Sequence, residues 1–182
     1  MDGTLETIDG RPALRFERRL GHPVERVWRA ITEPDELEAW FVARPDWKPE
    51  AGETFNAMEQ DGEITAVEPP NLIAWSWGDE LFRFELSPDD EGCVLVFTHV
   101  IDDRKFGAQH AAGWELHFGR LDALLAGTPK GPDEGMEGWG EIHERYAETF
   151  GLDPEVGRRA LAAYTAGGPD AVLEEMGRSQ TS

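Results

Sequence analysis

His110, Trp114 and His117 recur at three- and four-residue steps, which places two imidazoles and an indole on one face of a helix. A histidine in apolar surroundings titrates near neutrality. It can exchange protons with a bound polar group, or simply fix the orientation of a ligand oxygen. Tryptophan adds large apolar area and one hydrogen-bond donor. The candidate ligand contacts are therefore Trp40, Phe55, Trp75, Trp77, Phe84, Phe97, His99, His110, Trp114 and His117. Gly113 leaves room on the same helical face, and histidines beside it favour a cavity over a dry core that would have to satisfy them. A solid core would use the same aromatics, and Trp28 and Phe97 fit either reading.

Other chemistries find less support. His110 and His117 are seven residues apart, roughly 10 Å along a helix at 1.5 Å per residue, too far for direct chelation. His99 would approach one of them rather than both, so no metal is expected. There is no G-x-S-x-G elbow and no glycine-rich phosphate loop with its lysine. Cys93, the single cysteine, excludes an internal disulfide framework and suits a small apolar position in a strand. No catalytic residue and no cofactor is assigned.

The histidine helix is the longest periodic element, Lys105 to Gly127. Phe106, His110, Gly113, Trp114, His117, Leu121, Leu124 and Leu125 form its stripe, and Gly127 stops it. The leucine half should seal a core while the aromatic and histidine half lines a cavity. Upstream, Ala13–Leu20 alternates as a strand. Pro23 then suits the first turn of a helix through Val24, Val27, Trp28 and Ile31, and Glu36–Phe41 makes a second short helix. From Gly52 the period is two. Strands are expected over 53–59, 63–67, 72–77, 81–86 and 93–101, paired antiparallel in sequence order. Ile73, Trp75 and Trp77 share a face, as do Phe82, Phe84 and Leu86, and Leu95, Phe97 and His99. These bulky faces need cover, and the long helix is the only element large enough to give it.

The expected fold is thus α+β. A curved antiparallel sheet of about six strands grips one long helix, with two short helices after the first strand. Residues 1–127 form this domain. Residues 128–182 are a linker, TPKGPDEGMEG, followed by a helical tail: Trp139, Ile142, Tyr146 and Phe150, a restart at Asp153-Pro154, and a last short helix after Gly167-Gly168-Pro169. The formal charge of −20 repels phosphate backbones, which argues against nucleic acid. No run is long enough to span a membrane. The N-terminus lacks a signal-peptide pattern, and a cytoplasmic location is expected.

The order and spacing of several segments resemble the START-like, helix-grip superfamily that includes the major birch-pollen allergen. Within it they are similar to the branch named after the activator of the 90-kilodalton heat-shock chaperone's ATPase. The segments are VERVWRAITEPDELEAWF, GETF, GEITAVEPPNLIAWSW, FRFELSP, VLVFTH and HAAGWELHFGRLDALL, together covering roughly residues 12 to 126. The resemblance implies a helix-grip fold and a hydrophobic ligand between helix and sheet. Some members of the superfamily catalyse cyclisation or aromatisation there. A shared fold does not by itself fix function. Binding of a small hydrophobic or aromatic molecule is the leading expectation. The alternatives are an interaction module, with a homodimer or protein partner meeting the tail or the outward Val94 and Val96, and a polyketide cyclase- or aromatase-like enzyme.

Overall fold

The computed structural model describes residues 2–41, 43–58, 60–131 and 138–180, with the backbone alone for 169–180. The helix-grip expectation holds, with seven strands rather than six. In chain order they are β1 (Thr4–Ile8), β2 (Arg11–Leu20), β3 (Thr54–Ala57), β4 (Gln60–Glu68), β5 (Leu72–Trp77), β6 (Glu80–Asp89) and β7 (Gly92–Val100). They form one antiparallel, unclosed sheet in the order β1-β2-β7-β6-β5-β4-β3. The additional strand, β1, is TLETI at the sheet edge and is mostly exposed. Its polar composition hid it, because a mostly exposed strand paired on one side only needs no apolar face.

Register explains where the core lies. Phe16 pairs with Phe97, Phe97 with Phe84 and Phe84 with Ile73, so one row of large side chains crosses four strands. The adjacent core-facing row runs Leu14, His99, Phe82, Trp75. Fully burying an aromatic or aliphatic side chain of this size contributes about 1.5–3 kcal/mol. These rows are therefore a main source of stability, and they fix the register by parity.

The helix α3 (Gly107–Leu125), preceded by a 3-10 turn at Arg104–Phe106, lies across this surface. Trp114, Phe118 and Leu121 are buried against the sheet, and Phe118 meets Phe16, Trp40 and Phe97. Between strand and cover, α1 (Val24–Thr32) buries Val24, Val27, Ala30 and Ile31. The second short helix, α2, spans Pro34–Glu38, earlier than the expected 36–41 because Pro34 opens it at the first helical position. Glu36 accepts from Arg26 at 2.5 Å and from Arg29 at 2.6 Å, clasping the two short helices together. Trp40 then donates from Nε1 to the Ala30 carbonyl at 2.8 Å.

Beyond α3, α4 (Trp139–Phe150) packs on the outside of the same helix. Tyr146 and Ala147 join the core, with Ile142, Phe150 and Leu152 against it. The contact is locked by a polar clasp. Tyr146 donates to Glu115 Oε2 at 2.8 Å, Arg145 Nη2 donates to both Glu115 oxygens at 2.7 and 2.8 Å, and the Gly3 N–H donates to the Tyr146 hydroxyl at 3.0 Å. Gly151, at φ 64°, ends α4 as expected, and α5 (Glu155–Gln180) follows, interrupted at Gly168 (φ 74°, ψ −161°). Part of the expected linker, residues 132–137, lies outside the described residues, as do the side chains of the expected last helix.

Candidate functional site

A cavity of about 320 Å³ opens between α3 and the sheet. Gln109, His110, Gly113, Trp114 and His117 line it from α3, and Trp77, Glu80, Phe82 and His99 from β5, β6 and β7. Phe41 closes it from the segment after α2, and Trp139 and Ala160 come from α4 and α5. Gly113 is the opening in the helix face: a Cβ built there would meet nothing within 4 Å.

Of the residues singled out in the sequence, Trp77, His99, His110, Trp114 and His117 line this space. Trp75 and Phe55 instead border a second void of about 10 Å³, next to Trp47 and Trp77. Trp40, Phe84 and Phe97 are fully buried in the core and do not line the cavity. Phe84 and Phe97 share the core-facing parity of Phe82 and His99 but form the next row along the sheet, which α3 covers fully. The sequence reading passed over Phe41, Glu80, Phe82, Gln109, Trp139 and Ala160. Glu80 had a usable signal, since Glu80, Phe82, Phe84 and Leu86 alternate onto one face of β6. Trp139 and Ala160 had none, because the docking of α4 and α5 is a long-range contact.

The polar groups form a chain. Trp114 donates from its indole Nε1 to His99 Nδ1 at 2.9 Å. An indole N–H can only donate, so His99 Nδ1 carries no proton, the ring is neutral and its one hydrogen sits on Nε2. That nitrogen lies 3.0 Å from Glu80 Oε2 and donates to it. Burial pushes the Glu80 carboxyl up, but the bond from His99, with His110 and Arg11 nearby, outweighs it, and its pKa is lowered. Glu80 is therefore ionised at neutral pH. His110 Nε2 stands 3.6 Å from Glu80 Oε1, beyond hydrogen-bonding distance. Burial, with His99 adjacent, takes the pKa of His110 down to about 4, against a pull from Glu80 in the other direction. His117 donates from Nδ1 to the Trp40 carbonyl at 3.0 Å, which leaves Nε2 as its lone pair. Burial lowers it also to about 4, with Arg120 adding and the Trp40 bond opposing. Both imidazoles are thus neutral near pH 7.

Glu80, His99 and His110 each bring one ligand-type atom within 4.8 Å of the others, the nearest approach to a metal-binding trio among the described residues. The separation argument against His110 and His117 as a pair does not apply to this trio. Its hydrogen-bond pattern fits a metal poorly: His99 Nε2 would have to give up its proton to coordinate, yet the Trp114 N–H holds Nδ1 as the acceptor. The arrangement can orient a carboxylate inside an aromatic pocket and present acceptors to whatever occupies it. No helix among the described residues is long and apolar enough to cross a membrane.

Comparison with known proteins supports the same architecture. The crystal structure of CalU16 from Micromonospora echinospora superposes with a TM-score of 0.70 at 26% identity, covering 82% of this chain and 97% of that one. This share is more than residues 1–127 contain, so the likeness reaches into the tail. MLL2253 from Mesorhizobium loti gives a TM-score of 0.59 at 28% identity over 65% of this chain and 99% of its own. EF2215 from Enterococcus faecalis shares the fold at 19% identity, with a TM-score of 0.67 over 81% and 89%. No curated protein matches. The family model described as "Activator of Hsp90 ATPase homolog 1-like protein" matches residues 21–126, more than half of the sequence, and the chain belongs to that family.

Proposed function

We propose that this protein binds a small hydrophobic or aromatic molecule in the cavity between α3 and the sheet. One observation carries the reading: the space of about 320 Å³ beside Gly113 is walled by Phe41, Trp77, Phe82, Trp114 and Trp139. Ligand pockets run from about 300 to 1,000 Å³ and are mostly apolar with a few placed polar groups. This one is at the small end and suits a guest of one to three rings. A cytoplasmic setting belongs to the same reading, supported by a single buried thiol, Cys93.

The interaction-module alternative has less behind it, since α4 packs Ile142, Tyr146, Ala147 and Phe150 on this chain and α5 buries Ala160. A cyclase- or aromatase-like activity has the Glu80–His99–His110 grouping in its favour. It requires a substrate turned over by the wild type and not by His110→Ala. Binding itself is tested by titrating 2-naphthylmethanol into the full chain and following tryptophan fluorescence, alongside native mass spectrometry of the freshly purified protein. Saturable quenching that disappears in Gly113→Leu supports the reading. Quenching unchanged by that substitution, or none at all, refutes it.

A further inference from the structure

We propose that the guest is an organic cation: an amine carried on an aromatic or apolar body, with its ammonium group against Glu80 Oε1 and its rings among the aromatic walls. This deepens the binding reading above and rests on it. Among the described residues, the lining of the pocket around the Glu80 carboxylate includes no lysine or arginine. Its one hydrogen-bonding partner among the described residues, His99, is held neutral by the indole of Trp114, so the carboxylate is solvated on Oε2 without being neutralised. Oε1 accepts no hydrogen bond from any described residue, His110 stopping at 3.6 Å. Arg11, the cation whose charge reaches Glu80, directs Nη2 to the Asp79 carbonyl.

Among the other polar groups of the wall His117 has the same sense, whereas His110, being neutral, carries one N–H and one lone pair. The Gln109 side-chain oxygen has no partner, but it is buried within the wall and is not counted among the groups that meet the guest. His117, having committed its proton to the Trp40 carbonyl, offers only a lone pair. A pocket that presents a carboxylate oxygen and an imidazole lone pair favours a donor. The uncompensated charge makes a cationic donor better than a neutral one. Ring faces beside the carboxylate add cation–π attraction, which strengthens as water is excluded. The chain's net charge of −20 draws cations toward the surface, but only Glu80 discriminates inside.

The experiment compares three probes of one shape, 2-naphthylmethylamine, 2-naphthylmethanol and 2-naphthoic acid, with the full wild-type chain and with Glu80→Gln at pH 7. The expected result is an amine Kd at least tenfold below that of the alcohol, with the acid weakest. Glu80→Gln should bring the amine and alcohol Kd values within twofold of each other, chiefly by weakening the amine. An amine no tighter than the alcohol overturns the cation assignment and leaves the pocket standing. A preference that persists in Glu80→Gln also overturns it, placing the cause in the overall field. Failure of all three probes to bind removes the pocket and this proposal together.

Discussion

Two glycines on one helix offer a direct measurement of the empty space. Gly113 faces the cavity, Gly119 faces solvent, and a Cβ at either position meets nothing within 4 Å. Glycine inside a helix is about 0.8–1.0 kcal/mol less favourable than alanine, so Gly113→Ala and Gly119→Ala should each stabilise the protein by roughly that amount. In a domain of 150–250 residues 1 kcal/mol moves Tm by about 2–4 °C. Circular dichroism melts with and without 2-naphthylmethanol give both readouts. Leucine then separates the positions: Gly119→Leu should bind the probe as the wild type does, whereas Gly113→Leu should lose at least tenfold by filling the space the probe needs. If Gly113→Ala destabilises while Gly119→Ala stabilises, atoms already occupy the volume beside Gly113. The cavity on which the functional reading stands would then not exist.

Tyr146→Phe should cost about 1–3 kcal/mol in urea unfolding, because it strands the buried Gly3 N–H and removes one donor from Glu115. Gly157→Ala should weaken probe binding several-fold with a smaller effect on Tm. Its Cβ would lie 2.1 Å from His143 Nε2, and His143 stacks at 5.0 Å on Trp139, a cavity-wall residue, so displacement of that stack is the expected route. Stability should fall as pH drops from about 6.5 to about 4. His110 and His117 have folded pKa values near 4, below their ordinary 6.5, so in that window the unfolded chain binds more protons than the native state. At 1.36 kcal/mol per unit the loss is at most about 3 kcal/mol for each ring, and less for His110, which is 27% exposed. The double variant His110→Asn, His117→Asn should flatten the profile there, and an unchanged slope would contradict the assignment.

Much of this architecture can be read from parity and spacing. Ile73 and Trp75, Phe82 and Phe84, and Phe97 and His99 alternate as the register requires, since each pair faces one core that needs a cover. The helix starting near Lys105 was legible for the same reason. Its cavity half was readable in His110, Gly113, Trp114 and His117 because small and polar residues broke an otherwise leucine-rich stripe. Three things were not legible. Phe84 and Phe97 look like cavity residues until strand order shows them in the next row along the sheet, which α3 covers fully. Glu80 follows a hairpin signal, and its charge suggested solvent although its parity pointed inward. Trp139 and Ala160 depend on how α4 and α5 dock, which is decided by the buried Tyr146 and its bond to Glu115 rather than by any local pattern.

Trp139 and Ala160 complete the wall without belonging to any β-ladder, and both come after the segment matched by the family model. A chimaera that exchanges residues 138–168 for the corresponding stretch of a relative, retaining Arg145, Tyr146 and Ala147 for the core and the clasp, would leave the β-ladders in place and re-cut the roof. Scaffold and guest preference are therefore separable by transplantation. A small panel of such hybrids, scored against the three naphthyl probes, would show how far discrimination travels with the graft.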